Sequence, residues 1–284
     1  MDMKLGICTT DFGTQPVEDL FARIKGYGFS QVQFDFASVG EEELPAAIDS
    51  RLINRIRRSL RENQLEIVAI NGTFNMIHPD PAERSRGIER FPVMVDAARQ
   101  LGCRIVTLCT GTNDPDDMWR WHPDNGSEQS WQILQIVMAQ LLPVAEQYEV
   151  FLGIETEASN VVSSPEKARR IIDEMQSPFL KIVMDCANLF PRKSAYKANV
   201  APMIRKAFDY LGSDIILAHG KDISESDEIV FASPGKGIID YGLFLELLCQ
   251  YDYQGGMLLH GIKNESEIPG CLAFMQSAIE QHNM

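Results

Sequence analysis

The chain has 284 residues, 45 % of them apolar, which suits a folded globular protein and excludes a disordered one. Forty acidic residues against 26 basic ones leave a formal charge of -14, a poor basis for neutralising the phosphates of a nucleic acid. No apolar run approaches the ~18 residues of a membrane span and residues 1–11 carry no secretory signal pattern, so a cytoplasmic protein with no membrane and no nucleic-acid partner is expected.

The first short apolar run, 5–9, leads to Thr9 and Asp11. Pro16 then opens a helical pattern in which Val17, Leu20, Phe21 and Ile24 recur at i, i+3, i+4 and i+7. The second run, 32–36, contains Asp35 and precedes a helix with Leu52, Ile53, Ile56 and Leu60 on one face. Arg51, Arg55, Arg57, Arg58 and Arg61 read as the wet face of that helix, not as a phosphate track. The third run, 66–70, ends at Asn71 and enters a long loop with Phe74 and His78; a helix with Val93, Val95, Ala97, Ala98 and Leu101 then closes at Gly102. The fourth run, 105–109, ends at Thr110, and a second long loop carries Trp119, Trp121 and His122. After a helix over 133–144 comes a fifth run, 151–154, ending at Glu155. Ser164 and Pro165 provide an N-cap and first-turn proline for a helix with Ala168, Ile171, Ile172 and Met175. Runs 181–184, 215–218 and 256–259 end at Asp185, His219 and His260, and helices are expected near 203–211, 241–248 and 266–281.

These eight runs are rich in Ile, Val, Leu and Phe with little strict alternation, as parallel strands buried on both faces are. Eight βα units with no intervening linker predict one domain, 1–284, with the α/β architecture of a (β/α)8 TIM barrel. The absence of a GxGxxG after the first strand argues against an open dinucleotide-binding sheet. The six cysteines show no CxxC spacing and several lie in apolar runs, so structural disulfides are not expected.

In such a barrel the polar residue after each apolar run lines the C-terminal mouth, where active sites lie. Four late strands supply Glu155, Asp185, His219 and His260, one ligand-type side chain each. Oxygen and imidazole donors converging there form a cage for one divalent ion, Mn2+, Zn2+, Co2+ or Mg2+. Singly, each has a structural alternative: a strand-end His is commonly a hydrogen-bonded framework residue, and an Asp there commonly caps the next helix.

The segments 153–157 (GIETE), 184–189 (MDCANL), 218–222 (AHGKD) and 235–240 (GKGIID) make the chain resemble the xylose isomerase-like TIM-barrel proteins. That family includes sugar isomerases and epimerases, inosose dehydratases and isomerases, and endonuclease IV. The resemblance implies metal ligands at Glu155, Asp185 and His219. Most of the family has a glutamate as the fourth ligand at the end of the last strand, where this chain has His260. In the family's epimerases that glutamate and the one on the fifth strand form the acid/base pair, so His260 breaks a symmetric two-carboxylate arrangement.

Among candidate catalytic groups, Glu155, Glu157 or His260 would move a proton and Lys221 would hold an oxyanion. Asn188, Asn71, His78 and Trp121 are candidates for binding substrate, the aromatic loops suiting a carbohydrate. Each has a plainer reading: Glu157 as a rim residue, Asn188 as a turn residue, Lys221 as an ion-pair partner, and the aromatic loops as packing against the barrel. The glycines of 233–237 with Lys236 could cradle a phosphate, or could form a turn before a helix. The expected activity is a metal-dependent sugar, keto-sugar or polyol isomerase or epimerase working through an enediol-like intermediate. A lyase or dehydratase and a non-catalytic sugar-binding barrel are the alternatives. The negative charge argues against an endonuclease, and a homo-oligomer is expected from the family and the aromatic loops.

Overall fold

The eight apolar runs form a ring of parallel strands. The computed structural model describes residues 3–283. The barrel strands are β1 (Leu5–Cys8), β2 (Gln31–Phe34), β3 (Glu66–Asn71), β4 (Ile105–Leu108), β5 (Phe151–Glu155), β6 (Leu180–Asp185) and β7 (Ile215–Gly220). A small hairpin, β8 (Asp222–Ile223) and β9 (Phe231–Ala232), precedes the closing strand β10 (Met257–Leu259). The ring runs β1-β10-β7-β6-β5-β4-β3-β2 and closes on itself, so no barrel strand is left with an unpaired edge.

The outer layer is α1 (Val17–Gly26), α2 (Ser50–Asn63), α3 (Pro81–Leu101), α4 (Glu128–Tyr148), α5 (Pro165–Met175), α6 (Lys197–Leu211), α7 (Tyr241–Gln250) and α8 (Ile268–Asn283). Val17, Leu20, Phe21 and Ile24 form the buried stripe of α1, as their spacing predicts. Phe21 meets Phe34 edge-on, with ring centroids 5.9 Å apart, which ties α1 to β2. Ser164 caps α5 through Lys167 N, with Pro165 in its first turn. The arginines of α2 face solvent and meet groups of the chain itself: Arg55 and Arg58 reach Glu18, and Arg57 donates to the Gln100 carbonyl.

Inside the ring, Cys8, Ala69, Val183, Leu217 and Leu258 form their own buried cluster, distinct from the larger core between strands and helices. All six cysteines are free, five of them buried, in line with their scattered spacing. No helix among the described residues is long and apolar enough to cross a membrane.

Three helices begin earlier than the apolar spacing implies. α3 starts at Pro81, capped by Asp80 through Ala82 N; the charged stretch 83–90 hides the helix from a periodicity reading. Ser127 caps α4 at Glu128, and α6 starts at Lys197. The β8–β9 hairpin has two residues per strand, too few to leave a periodic signal.

Candidate metal centre

The barrel register brings the strand-end residues together. Asp185 lies beside His219 across β6 and β7, and Glu155 beside Val183 across β5 and β6. The result is a buried group of three, Glu155, Asp185 and His219, whose donor atoms all lie within 4.8 Å of one another. His219 Nδ1 stands 3.6 Å from Glu155 Oε1 and 3.9 Å from Asp185 Oδ2. Ligands ~2.1 Å from one ion stand about 3–3.5 Å apart, so the spacing is close to that of a first coordination sphere.

Hydrogen bonding decides which atoms are free. Asp185 Oδ1 accepts from Ala187 N at 2.9 Å, ending β6 in a single 3-10 turn, Cys186–Leu189. The capping reading of this aspartate is therefore correct for one oxygen, and Oδ2 is left buried with no partner. His219 Nε2 lies 2.8 Å from Gln33 Oε1, an acceptor, so Nε2 carries the proton and Nδ1 presents a bare lone pair. Nδ1 also has no partner. Leaving a buried carboxylate oxygen and an imidazole lone pair unsatisfied is costly, and a divalent cation between them removes the cost. The donor set fits such an ion.

Gln33 lies on β2, remote from the other three in sequence, and plays the part usual for a group behind a metal-bound histidine: it fixes tautomer and ring plane. Gln33→Leu is expected to leave the fold intact and weaken divalent-ion affinity about 10–100-fold, measured by competition with a chelating dye. Equal affinity in the variant would show that Gln33 does not set the ring.

His260 stands outside this group of three. Its ring centroid is 5.8 Å from that of His219, and its Nδ1 faces Asp11 Oδ2 at 3.8 Å. Asp11 is held by Ile262 N, which donates to Oδ1 at 3.1 Å. Burial opposes a charge on His260, but Cys8 and the Asp11 carboxylate outweigh it and raise the imidazole well above its ordinary value. His260 is not one of the three residues whose donor atoms converge; its Nδ1, like Asp11 Oδ2, is buried without a hydrogen-bond partner, and the residue stands in the wall of the cavity.

On the other side Asn188 bridges two site residues. Its Nδ2 donates to Glu155 Oε1 at 2.6 Å, and its Oδ1 accepts from Lys221 Nζ at 2.7 Å. The Lys221 ammonium sits 3.5 Å from the centroid of the Phe231 ring, a cation–π contact that holds it in a nearly buried place. Glu157 accepts from the Ser159 N–H and hydroxyl, and burial pushes its carboxyl above the usual range. Glu155, Glu157, Asn188, Lys221 and His260 line one cavity of about 360 Å³. A second of about 300 Å³, with Gln33, Asp35, Asn71 and His219 in its wall, shares Cys109, Trp119, Glu155 and His260 with the first.

Two expected binding residues lie elsewhere. Both loop indoles are more than half exposed, but Trp119 lines both cavities and Trp121 is not among the residues lining either. Between them the loop turns, with Asp117 accepting from Trp119 N and Arg120 paired to Asp114. His78 lines a neighbouring cleft, with Nδ1 accepting from Asp80 N and Nε2 3.1 Å from the Pro115 carbonyl. Asn71 does reach the cavity, and donates to Asp35 Oδ2 at 2.7 Å. The 233–237 loop is a turn: Asp222 accepts from Gly235 N, Ile239 N and Ile223 N, and Lys236 pairs with Glu267. A carboxylate already sits where a phosphate would have to enter.

Sequence reasoning missed Gln33 and Phe231, and placed Asp11 at the mouth and Trp119 in an aromatic loop without assigning either a role. Gln33 had a signal: in Gln31-Val-Gln-Phe-Asp35 the polar residues alternate with Val32 and Phe34, which are fully buried against the helices. Polar residues on the inward face of a barrel strand point into the barrel.

A closed ring of eight parallel strands with an Asp–Glu–His group at its C-terminal mouth defines a (β/α)8 barrel with a candidate metal centre. Residues 21–277 match the family described as Xylose isomerase-like TIM barrel, and the chain belongs to that family. No curated protein matches the sequence. Among solved structures it is similar to a 3-keto-D-glucoside 4-epimerase of E. coli, at 18 % identity and a TM-score of 0.74, covering 97 % of this chain and 100 % of that one. A D-tagatose 3-epimerase-like protein is similar at 19 % identity and a TM-score of 0.78, covering 99 % and 98 %. The IOLI protein, described with a zinc atom bound, is similar at 15 % identity and a TM-score of 0.71, covering 99 % of each chain.

Proposed function

We propose that the protein is a metal-dependent isomerase or epimerase of a sugar or keto-sugar, moving a proton at a carbon next to a carbonyl. The observation that carries this reading is the pair of partnerless buried atoms, Asp185 Oδ2 and His219 Nδ1, converging with Glu155 beside a second carboxyl and a lysine. The epimerase names of two similar folds agree with it. A divalent ion, Mn2+, Zn2+, Co2+ or Mg2+, held by Glu155, Asp185 and His219 would act as the Lewis acid that acidifies the C–H.

Glu157 is assigned the proton transfer on one face of the substrate carbon. Its carboxyl is buried, raised in pKa and held by Ser159, which suits a group that both takes and returns a proton. Lys221, aimed by Asn188 and Phe231, holds negative charge as it develops on the substrate oxygen. His260, which lines the same cavity and has Asp11 behind its ring, supplies the second acid/base position, in place of the family's usual glutamate. Glu155, bound by Asn188, holds the ion and orients the bridge to Lys221.

The same asymmetry favours a second reading, a lyase. In it the Glu157 carboxylate abstracts the proton and His260, beside Asp11, gives one to the departing β-hydroxyl.

The test is proton exchange. The metal-loaded protein, incubated with a keto-sugar panel in deuterated water, should place deuterium at the carbon next to the carbonyl. Glu157→Gln should slow that exchange about 10²–10⁴-fold while retaining the ion. No exchange into any keto-sugar by protein that holds its ion would overturn the reading.

A further inference from the structure

Next to the metal-bearing cavity lies a third, of about 430 Å³, which the proposed chemistry does not use. It shares Glu43 and Thr73 with the wall of the cavity that holds His219. By itself it falls within the ~300–1,000 Å³ range of small-molecule sites. Its position is lateral: the β3–α3 loop, the first turns of α3 and Met118 surround it.

The floor is built for a ring. The Phe74 ring packs against α3 at Gly87, where a Cβ would come within 2.1 Å of it. Only glycine leaves room for the ring there. Asn75 fixes the loop by accepting from Ile77 N and Thr112 N and donating to the Thr112 carbonyl. An aromatic platform ringed by polar side chains is the arrangement that stacks on sugar C–H groups and bonds the hydroxyls.

Charge decides what kind of group fits. Arg86 is met by Glu83, and Arg90 by Glu42 and the Leu44 carbonyl; Glu43 adds a further acid. An anionic group would have to displace carboxylates already paired. Uncharged hydroxyls can accept from guanidinium N–H groups and donate to the carboxylates without breaking either pair.

Resting on the sugar reading above, we infer that the substrate has two rings: its reacting unit occupies the metal-bearing cavity, and an uncharged outer glycosyl unit stacks on Phe74. The substrate class is then a glycoside or disaccharide, not a free monosaccharide. The link between the rings crosses at Glu43 and Thr73.

Calorimetry and saturation-transfer NMR on the full-length, Mn2+-loaded protein test this. The probes are D-glucose, D-galactose and D-fructose, beside maltose, cellobiose, lactose and sucrose. At least one disaccharide should bind on the order of tenfold tighter than either of its component sugars. Phe74→Ala should abolish that gain without changing monosaccharide affinity or bound Mn2+. Arg86→Ala, at an exposed helix position where folding is not at risk, should reduce the gain in the same way. Monosaccharides binding as tightly as every disaccharide would overturn the two-ring substrate and leave the sugar reading standing. No sugar of either size bound by Mn2+-loaded protein would overturn the sugar reading, and the outer subsite with it.

Discussion

Asp185→Asn should lose the divalent ion and yet make the ion-free protein more stable. The two effects have one cause. Asp185 Oδ1 caps the turn through Ala187 N, a bond that an amide oxygen keeps, so the local fold survives. Oδ2 is buried, without a partner, and 3.9 Å from His219 Nδ1. Burial pushes this carboxyl above its ordinary range, only partly offset by Lys221. A carboxyl with a raised folded-state pKa favours folding at low pH, and that contribution is lost as pH rises through the folded pKa. At neutral pH, without an ion, the charged Asp185 is therefore a net cost. Asparagine removes that cost, so the ion-free variant should melt at a higher temperature than the ion-free wild type. The wild type should gain about 2.7 kcal/mol at an ion concentration 100 times Kd, and the variant nothing. Scanning calorimetry with and without chelator, alongside elemental mass spectrometry, reads both effects. A variant that keeps its ion would remove Asp185 from the ligand set.

Asp222→Ala should be among the most destabilising single changes near the mouth. The side chain is buried and serves three backbone N–H groups: Ile223 at 2.9 Å, Ile239 at 3.0 Å and Gly235 at 3.0 Å. Gly237 packs so closely that a Cβ there would lie 2.2 Å from Asp222 Oδ1. Alanine strands all three donors, for a loss of about 2–4 kcal/mol in urea denaturation. Asp222→Asn keeps an oxygen for Ile223 and Ile239 but turns an amide N–H toward Gly235 N, so it should fall between. Amide hydrogen exchange at 235–239 should speed up in the same order. A loss under ~0.5 kcal/mol in the alanine variant would show that the loop is held by other contacts.

The fold was legible because every barrel strand announces itself: eight apolar runs, each ending in a polar residue, are what a barrel buried on both faces requires. The same regularity located Glu155, Asp185 and His219, since equivalent strand ends share one rim. His260 marks the limit of that reasoning. Its place in the chain is equivalent to the others, but the direction of its ring depends on Asp11, 249 positions away and off the strand pattern. Trp119 and Trp121 were indistinguishable as letters, because a loop has no period; only the folded loop brings Trp119 to the cavities. α3 was read too short because its first turns carry charge on almost every side.

Closure of the ring by β10 has a consequence for how the chain is made. β1 pairs with β10 and β10 with β7, so neither neighbour has its full complement of backbone partners until residues 257–259 have left the ribosome. A growing chain that already holds Glu155, Asp185 and His219 still exposes two open strand edges, and Leu259, Ile262 and Ile268 have yet to cover the apolar surface between them. Nascent or truncated forms ending before residue 257 should therefore engage chaperones or aggregate, and the imidazole–carboxylate cluster gains its rigid frame only once residues 257–259 are in place.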